Sequence, residues 1–478
     1  MHPASQPALL DRRRFLIGGT VGLGGMALAS LLSGEARAAE SSPYAARSPQ
    51  FAPRAKRVIH ICALGGVSHV DTFDYKPELE KRHGKEAGRS FDTFFGQPGR
   101  LLKSPFAFSQ HGESGRWVSD LLPHIAGVVD ELTFIHSMHA KNSNHTPATF
   151  LMNSGFTLNG FPNLGAWVSY GLGSENDDLP AYVVLPDPRQ LPAGGAINWT
   201  NGFLPAVHQG VAFRNDPKEP IADLNTPEGT SPLVRAESMD FASRMNRRFA
   251  AANPAESALA ARVRSYELAA RMQLAVPGLV NLNDETPATR KLYGLEHPNG
   301  PTAAFGRNCL LARRLSERGV RFVQIFNGGQ FGSPRINWDG HEDIVDNHRN
   351  QAIVMDQPVA GLIRDLKVRG LLDETLVLWT TEFGRTPITQ GMEGRGRDHH
   401  QHGFTIWMAG AGLKRGFAYG ATDEIGYSAA TNPVEFYDVH ATALHLLGFD
   451  HTKLTFRHNG VDRRLTDVHG EVIPGILA

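Results

Sequence analysis

Short apolar runs, each ended by glycine, proline or a polar residue, alternate along the chain with stretches in which apolar residues recur at helical spacing. Arg57-Val58-Ile59-His60-Ile61-Cys62-Ala63-Leu64 predicts a buried strand, stopped by Gly65-Gly66. Helical spacing follows over 121–129, then a second strand over 132–135. A helix is predicted to begin near Pro147, because proline is tolerated in the first helical turn. Further strands are predicted over 181–185, 321–326, 375–380 and 405–409, and further helices over 303–318, 352–369 and 434–447. The Ala- and Arg-rich stretch 236–275 keeps helical periodicity and predicts a helical insertion reaching to about residue 300. Strands alternating with helices predict one α/β domain over 55–478, a large and mostly parallel sheet sandwiched by helices.

The beginning of the chain reads differently. Asp11-Arg12-Arg13-Arg14-Phe15-Leu16-Ile17 is a twin-arginine signature, followed by an apolar, Gly- and Ala-rich stretch from Ile17 to Leu32. The small-residue site Ala36-Arg37-Ala38 predicts cleavage before Ala39, so 1–38 is read as a signal peptide and 39–54, rich in Ser, Ala and Pro, as a linker. The apolar stretch is short and broken by glycine, which argues against a stable membrane span after cleavage. The expectation is a periplasmic or secreted protein that uses the twin-arginine translocation machinery.

Composition narrows the functional classes. Lys plus Arg is 48 and Asp plus Glu is 48, a balance that offers no basic surface for nucleic acid. Two cysteines, Cys62 and Cys309, are too few for a disulfide framework. The 21 histidines gather near 136–145, 341–348 and 399–402, where a metal site needs them.

In open α/β sheets ligands bind beyond the carboxyl ends of the strands. Asp71 follows the first predicted strand, and Asn144-His145-Thr146-Pro147 opens a helix after the second. Trp338-Asp339-Gly340-His341 follows the strand over 321–326, and Glu382-Phe383-Gly384-Arg385 the strand over 375–380. Arg397-Asp398-His399-His400-Gln401-His402 precedes the strand over 405–409. Mixed oxygen and nitrogen ligands suit a divalent metal such as Zn or Mn better than Ca. The helix start at Asn144 and the guanidinium groups of Arg385 and Arg397 are candidates to hold an anion.

These residues resemble a known family. Gly65-Gly66-x-Ser68-His69-x-Asp71-x-Phe73-Asp74, Asn144-His145-x-Pro147-Ala148, Trp338-Asp339-x-His341, Thr381-Glu382-Phe383-Gly384-Arg385-Thr386-Pro387 and Gly396-Arg397-Asp398-His399 look like the bacterial domain-of-unknown-function family DUF1501. Gly426-Tyr427, Asn432-Pro433 and Asp438-Val439-His440-Ala441-Thr442 extend the match over nearly the whole chain after the leader. That family is similar to the alkaline phosphatase and sulfatase superfamily. The resemblance implies an alkaline phosphatase-like sheet and metal-assisted hydrolysis of a phosphate or sulfate ester, small-molecule or glycan. It implies metal ligands among Asp71, Asp339, His341, Glu382, Asp398 and His399, with Asn144, Arg385 and Arg397 on the substrate anion. His145 stands at the superfamily's nucleophile position, open to a phosphoryl-histidine, to activating water or to binding metal, and Thr146 is the nearest hydroxyl. Phe383 replaces a ligand histidine and Glu382 an aspartate.

A second reading is a non-catalytic extracytoplasmic binding or assembly protein on the same scaffold, favoured by the missing standard nucleophile. Convergence of Asp71, His145, Asp339, Glu382 and His399 on one pocket favours the enzyme. A copper oxidase lacks the His-Cys-His context it needs, and a serine hydrolase lacks a G-x-S-x-G elbow.

Overall fold

The computed structural model describes residues 45–478 apart from 89, 96, 215–219, 222–230, 253–256 and 333. The expected signal peptide, its cleavage site and residues 39–44 of the linker lie outside the described residues. No described helix is long and apolar enough to cross a membrane.

Eight strands form the central sheet: β1 Arg57–Ala63, β2 Leu132–Met138, β3 Tyr182–Leu185, β4 Val211–Ala212, β5 Phe322–Asn327, β6 Thr375–Thr380, β7 Phe404–Ala409 and β8 Phe417–Tyr419. Their spatial order is β8-β2-β7-β6-β1-β5-β3-β4. Every neighbouring pair is parallel except those made by β7, which runs antiparallel to both β6 and β2. The mostly parallel α/β sheet is therefore observed.

The central strands are mostly apolar because both faces are covered, with His60 and Gln324 among the buried polar exceptions. In β1, Ile59 and Ile61 point into one core, and Val58 and Cys62 into the other. Helices α1 His145–Ser154, α2 Leu164–Leu172 and α7 Phe436–Leu446 cover the second core, through side chains such as Leu151, Trp167 and Leu444. The first core is closed by α4 Ser257–Val280, α5 Gly300–Glu317 and α6 Ile344–Val368, with Leu268, Phe305 and Met355 among the contacts. The remaining long helix, α3 Pro232–Ala252, pairs with α4 at the place of the expected insertion.

Two predicted helices change. The stretch 121–129 forms only a short helix at Pro123–Ala126 and a 3-10 turn at Val129–Glu131. Helix α6 begins at Ile344, eight residues before the predicted start, capped by the Asp343 carboxylate on the Val345 and Asp346 N–H groups. Its first turns escape the apolar pattern because, after Ile344, the side chains they bury are the polar His348 and Gln351.

Gly65, just beyond β1, fixes the neighbouring loop. Its φ of +115° lies in the region that favours glycine, and a Cβ there would sit 2.4 Å from the Trp338 backbone nitrogen. Trp338 is in turn anchored by its N–H on the Leu64 carbonyl (2.9 Å) and its Nε1–H on Asn327 Oδ1 (2.7 Å). Gly65→Ala is expected to lower stability by roughly 3 kcal/mol or more, through strain plus a backbone clash. Gly84 has φ +76° with open space around it, so Gly84→Ala should cost only about 1 kcal/mol. Urea unfolding checks both; equal losses would mean that the loop yields to the new methyl group.

Candidate metal centre

Strands β1, β2, β5 and β6 run the same way, so the segments that follow them emerge at one edge of the sheet. Because β7 is antiparallel, the segment that precedes it emerges at that edge too. That reversal brings His399 to residues that otherwise follow strands. A two-residue antiparallel ladder pairs Arg385 with His399 and Gly384 with His400.

His145, Asp339, His341 and His399 converge there, with one ligand atom from each lying within 4.8 Å of all the others. The three Nε2 atoms stand 3.2 Å (His145), 2.9 Å (His341) and 3.3 Å (His399) from Asp339 Oδ1. The opposite nitrogens face acceptors. His145 Nδ1 lies 2.7 Å from Glu382 Oε1, His399 Nδ1 lies 2.7 Å from the Ser143 carbonyl, and His341 Nδ1 meets Gln390 Oε1. A carbonyl or carboxylate can only accept, so these rings carry N–H at Nδ1 and turn the Nε2 lone pairs inward. His341 and His399 then bring their Nε2 atoms within 2.8 Å of each other. His145 Nε2 is buried without a hydrogen bond. Three lone pairs and a carboxylate oxygen directed at one point fit a divalent cation, and the acceptors behind the rings are those that orient metal-binding imidazoles.

Burial favours this state of readiness. It lowers the pKa of His399 to about 2, against the pull of the Asp339 carboxylate and with help from the Arg385 guanidinium. Burial by itself would raise the pKa of Asp339. The Arg385 charge instead holds it far below the usual carboxylate range. Aromatic rings wall the group: Phe331 stacks on His145 at 3.8 Å between centroids, and Phe383 lies 4.8 Å from both His145 and His399. Phe94 and Phe95, both largely exposed, cover His399 and His341 at 4.9 and 5.1 Å.

The other expected site residues take supporting places. Glu382 accepts from the Gly65 N–H at 2.8 Å as well as facing His145, so it orients a ligand and stands outside the four. Asp398 accepts from the His399 N–H at 2.8 Å and the Phe95 N–H at 2.7 Å, and lies 3.9 Å from His341 Nδ1. Asp71 corrects the expected ligand set. It is buried and paired with Arg397 through Nε (2.7 Å) and Nη2 (3.0 Å), with Ser68 Oγ at 2.5 Å. The same contact corrects the assignment of Arg397 to a substrate anion, since its remaining donors reach the Thr386 and Leu102 carbonyls and its side chain has no exposed surface. Arg385, equally buried, donates to Asp339 Oδ1 at 2.6 Å, to Gly66 O at 2.9 Å and to Gly65 O, so it holds the ligand carboxylate. Asn144 is the exposed N-cap of α1, and Thr146 is half-buried one residue inside the helix. Of the run Asp398 to His402 only His399 joins the group, since His400 Nε2 turns to the Tyr427 carbonyl.

Sequence reasoning missed Arg335, Gln390 and the aromatic wall. Arg335 and Gln390 sit in loops without pattern. The adjacent Phe94-Phe95 in a polar stretch was the one available signal.

The family model described as "Protein of unknown function (DUF1501)" matches residues 55–477. This chain belongs to the DUF1501 family. No curated protein matches it. Among solved structures, this DUF1501 chain is similar to the lipoteichoic acid synthase LtaP from Listeria monocytogenes, at 10% identity over 89% of this chain and 78% of that one, with a TM-score of 0.36. It is similar also to the PsFucS1 sulfatase from Pseudoalteromonas sp., at 12% identity over 92% and 77% of the two chains and a TM-score of 0.35. A TAB5 alkaline phosphatase mutant matches at 10% identity over 77% and 94%, with a TM-score of 0.34.

Elemental analysis separates ligands from neighbours. Asp339→Asn and His399→Ala are expected to lose most of the bound metal that the parent protein retains. Asp71→Ala should keep the metal yet lose about 3–5 kcal/mol of stability, because Arg397 is left buried without its partner. Loss of metal from the Asp71 variant at unchanged stability would return Asp71 to the ligand set.

Proposed function

We propose that this DUF1501 chain is an exported, metal-dependent hydrolase of phosphate or sulfate esters, carried on small molecules or glycans. His145, Asp339, His341 and His399 hold the cation, with Zn or Mn favoured by three nitrogens and one oxygen. The observation that carries the reading is the convergence of three Nε2 atoms on Asp339 Oδ1. Export is supported by the twin-arginine signature at Arg12-Arg13 and the cleavage site at Ala36-Arg37-Ala38.

Charge supports a bound cation. Arg385 and Arg335 both grip Asp339, but the carboxylates of Glu382, Asp398 and Glu342 stand around the same group, so acidic side chains outnumber the guanidinium groups and a divalent ion offsets the difference. The first turn of α1 adds backbone N–H groups, since the Asn144 side chain makes no cap hydrogen bond.

A bound divalent cation supplies Lewis-acid polarisation of the ester and lowers the pKa of water. The residues of the chain hold and orient. Glu382, Gln390 and the Ser143 carbonyl fix the three rings, and Arg385 fixes Asp339. His145 is thereby committed as a ligand, which leaves water as the attacking group. The phenylalanines exclude bulk solvent and strengthen each charge interaction inside.

The binding-protein reading keeps one specific support: Asp339, His145 and His399 are buried, and four protein ligands resemble a closed structural site. Turnover decides between the two. Protein reloaded with Zn or Mn is expected to hydrolyse aryl phosphates or aryl sulfates, to stop on chelation, and to lose at least about 100-fold in rate on His145→Ala. A fully metal-loaded protein that turns over neither ester class would leave the binding reading.

A further inference from the structure

Arg335 differs from the other guanidinium groups around the centre. Arg385 and Arg397 have no exposed side-chain surface, whereas Arg335 is 26% exposed. One of its ends, Nη1, donates to Asp339 Oδ2. Its Nε and Nη2 form a fork on the Glu342 carboxylate, at 2.6 and 2.5 Å. Glu342 is 68% exposed, and it directly follows the ligand His341. Arg335 thus reaches from the ligand carboxylate to solvent, and an internal carboxylate fills the part of it that would grip an oxyanion.

We propose that Arg335 is the specificity-determining contact for the substrate anion, and that Glu342 is a built-in competitor which that anion displaces. This rests on the hydrolase reading and narrows its substrate to a dianionic ester, a phosphate monoester rather than a sulfate monoester. The two grips of Arg335 differ in strength. The hold on Asp339 is buried, so it stays in place and keeps the guanidinium aimed at the centre. The hold on Glu342 is screened by water, so it yields to a stronger anion. A singly charged sulfate ester merely matches the carboxylate it has to replace. A doubly charged phosphate ester exceeds it, and planar fork geometry suits either tetrahedral group equally. Charge is then what discriminates.

The test uses two inert probes of the same shape, methylphosphonate and methanesulfonate, titrated into the full protein calorimetrically above the second pKa of the phosphonate. The parent protein is expected to bind the phosphonate at least about tenfold more tightly than the sulfonate. Glu342→Gln should tighten the sulfonate several-fold and narrow that gap, at unchanged metal content and melting temperature. Arg335→Gln should weaken the phosphonate about tenfold or more, with Arg335→Lys recovering part of the loss. Identical binding of both probes to parent and Glu342→Gln protein, or undiminished phosphonate binding by Arg335→Gln, overturns the proposal. Titrations of metal-free protein judge the Arg335 fork even if no ester is ever hydrolysed, so failure here is distinct from failure of the hydrolase reading.

Discussion

Burying Asp339 among three imidazoles sets the condition that the carboxyl edge of the sheet has to meet. A carboxylate removed from water needs compensating positive charge or hydrogen bonds. Here Arg385 is fixed on Oδ1 and Arg335 on Oδ2. Neutral imidazoles crowd the same oxygen without supplying protons of their own, since their N–H groups point outward to Glu382, Gln390 and Ser143. The arrangement has the charge balance of a site awaiting a cation, and the supporting residues are explained by it. Glu382 ties the ring of His145 to the Gly65 turn, and Gly65 in turn admits the Trp338 backbone that carries Asp339.

The reversal of one strand is the topological counterpart. In a wholly parallel sheet a residue just before a strand lies at the amino edge, away from the ligands. With β7 antiparallel, the segment 396–400 reaches the carboxyl edge, and the ladder of Arg385 with His399 sets the third imidazole beside the guanidinium that holds Asp339. A further ion pair of the region, Asp71 with Arg397, is fully buried. It binds the turn after β1 to the segment before β7, and so locks together the two ends of that arrangement.

Much of this was legible in the order of residues. Strands buried on both faces are continuous apolar runs, which is why β1, β5, β6 and β7 could be placed within a residue or so. Asp339, His341 and His399 stood out because imidazoles and carboxylates recurred beside strand ends. What could not be read was the direction of β7, because a buried strand has the same composition in either orientation. Nor could pairing be read: Asp71 and Arg397 each looked available for a ligand or a substrate until the fold joined them, 326 residues apart in sequence. Gln390 and Arg335 carry no local pattern, and only the geometry gives them a role. The start of α6 was lost because the polar His348 and Gln351 interrupt its buried apolar positions. The family motifs placed His145 at a nucleophile's position, and only the fold shows its ring set between Glu382 and Asp339.

One carboxylate touches both the cover and the centre. Asp398 grips the N–H of Phe95 with one oxygen and the N–H of His399 with the other. The aromatic cover and a ligand imidazole therefore hang from the same side chain. Parting Phe94 and Phe95 would pull on the group that steadies His399, so movement of the cover and movement of that imidazole are one mechanical event.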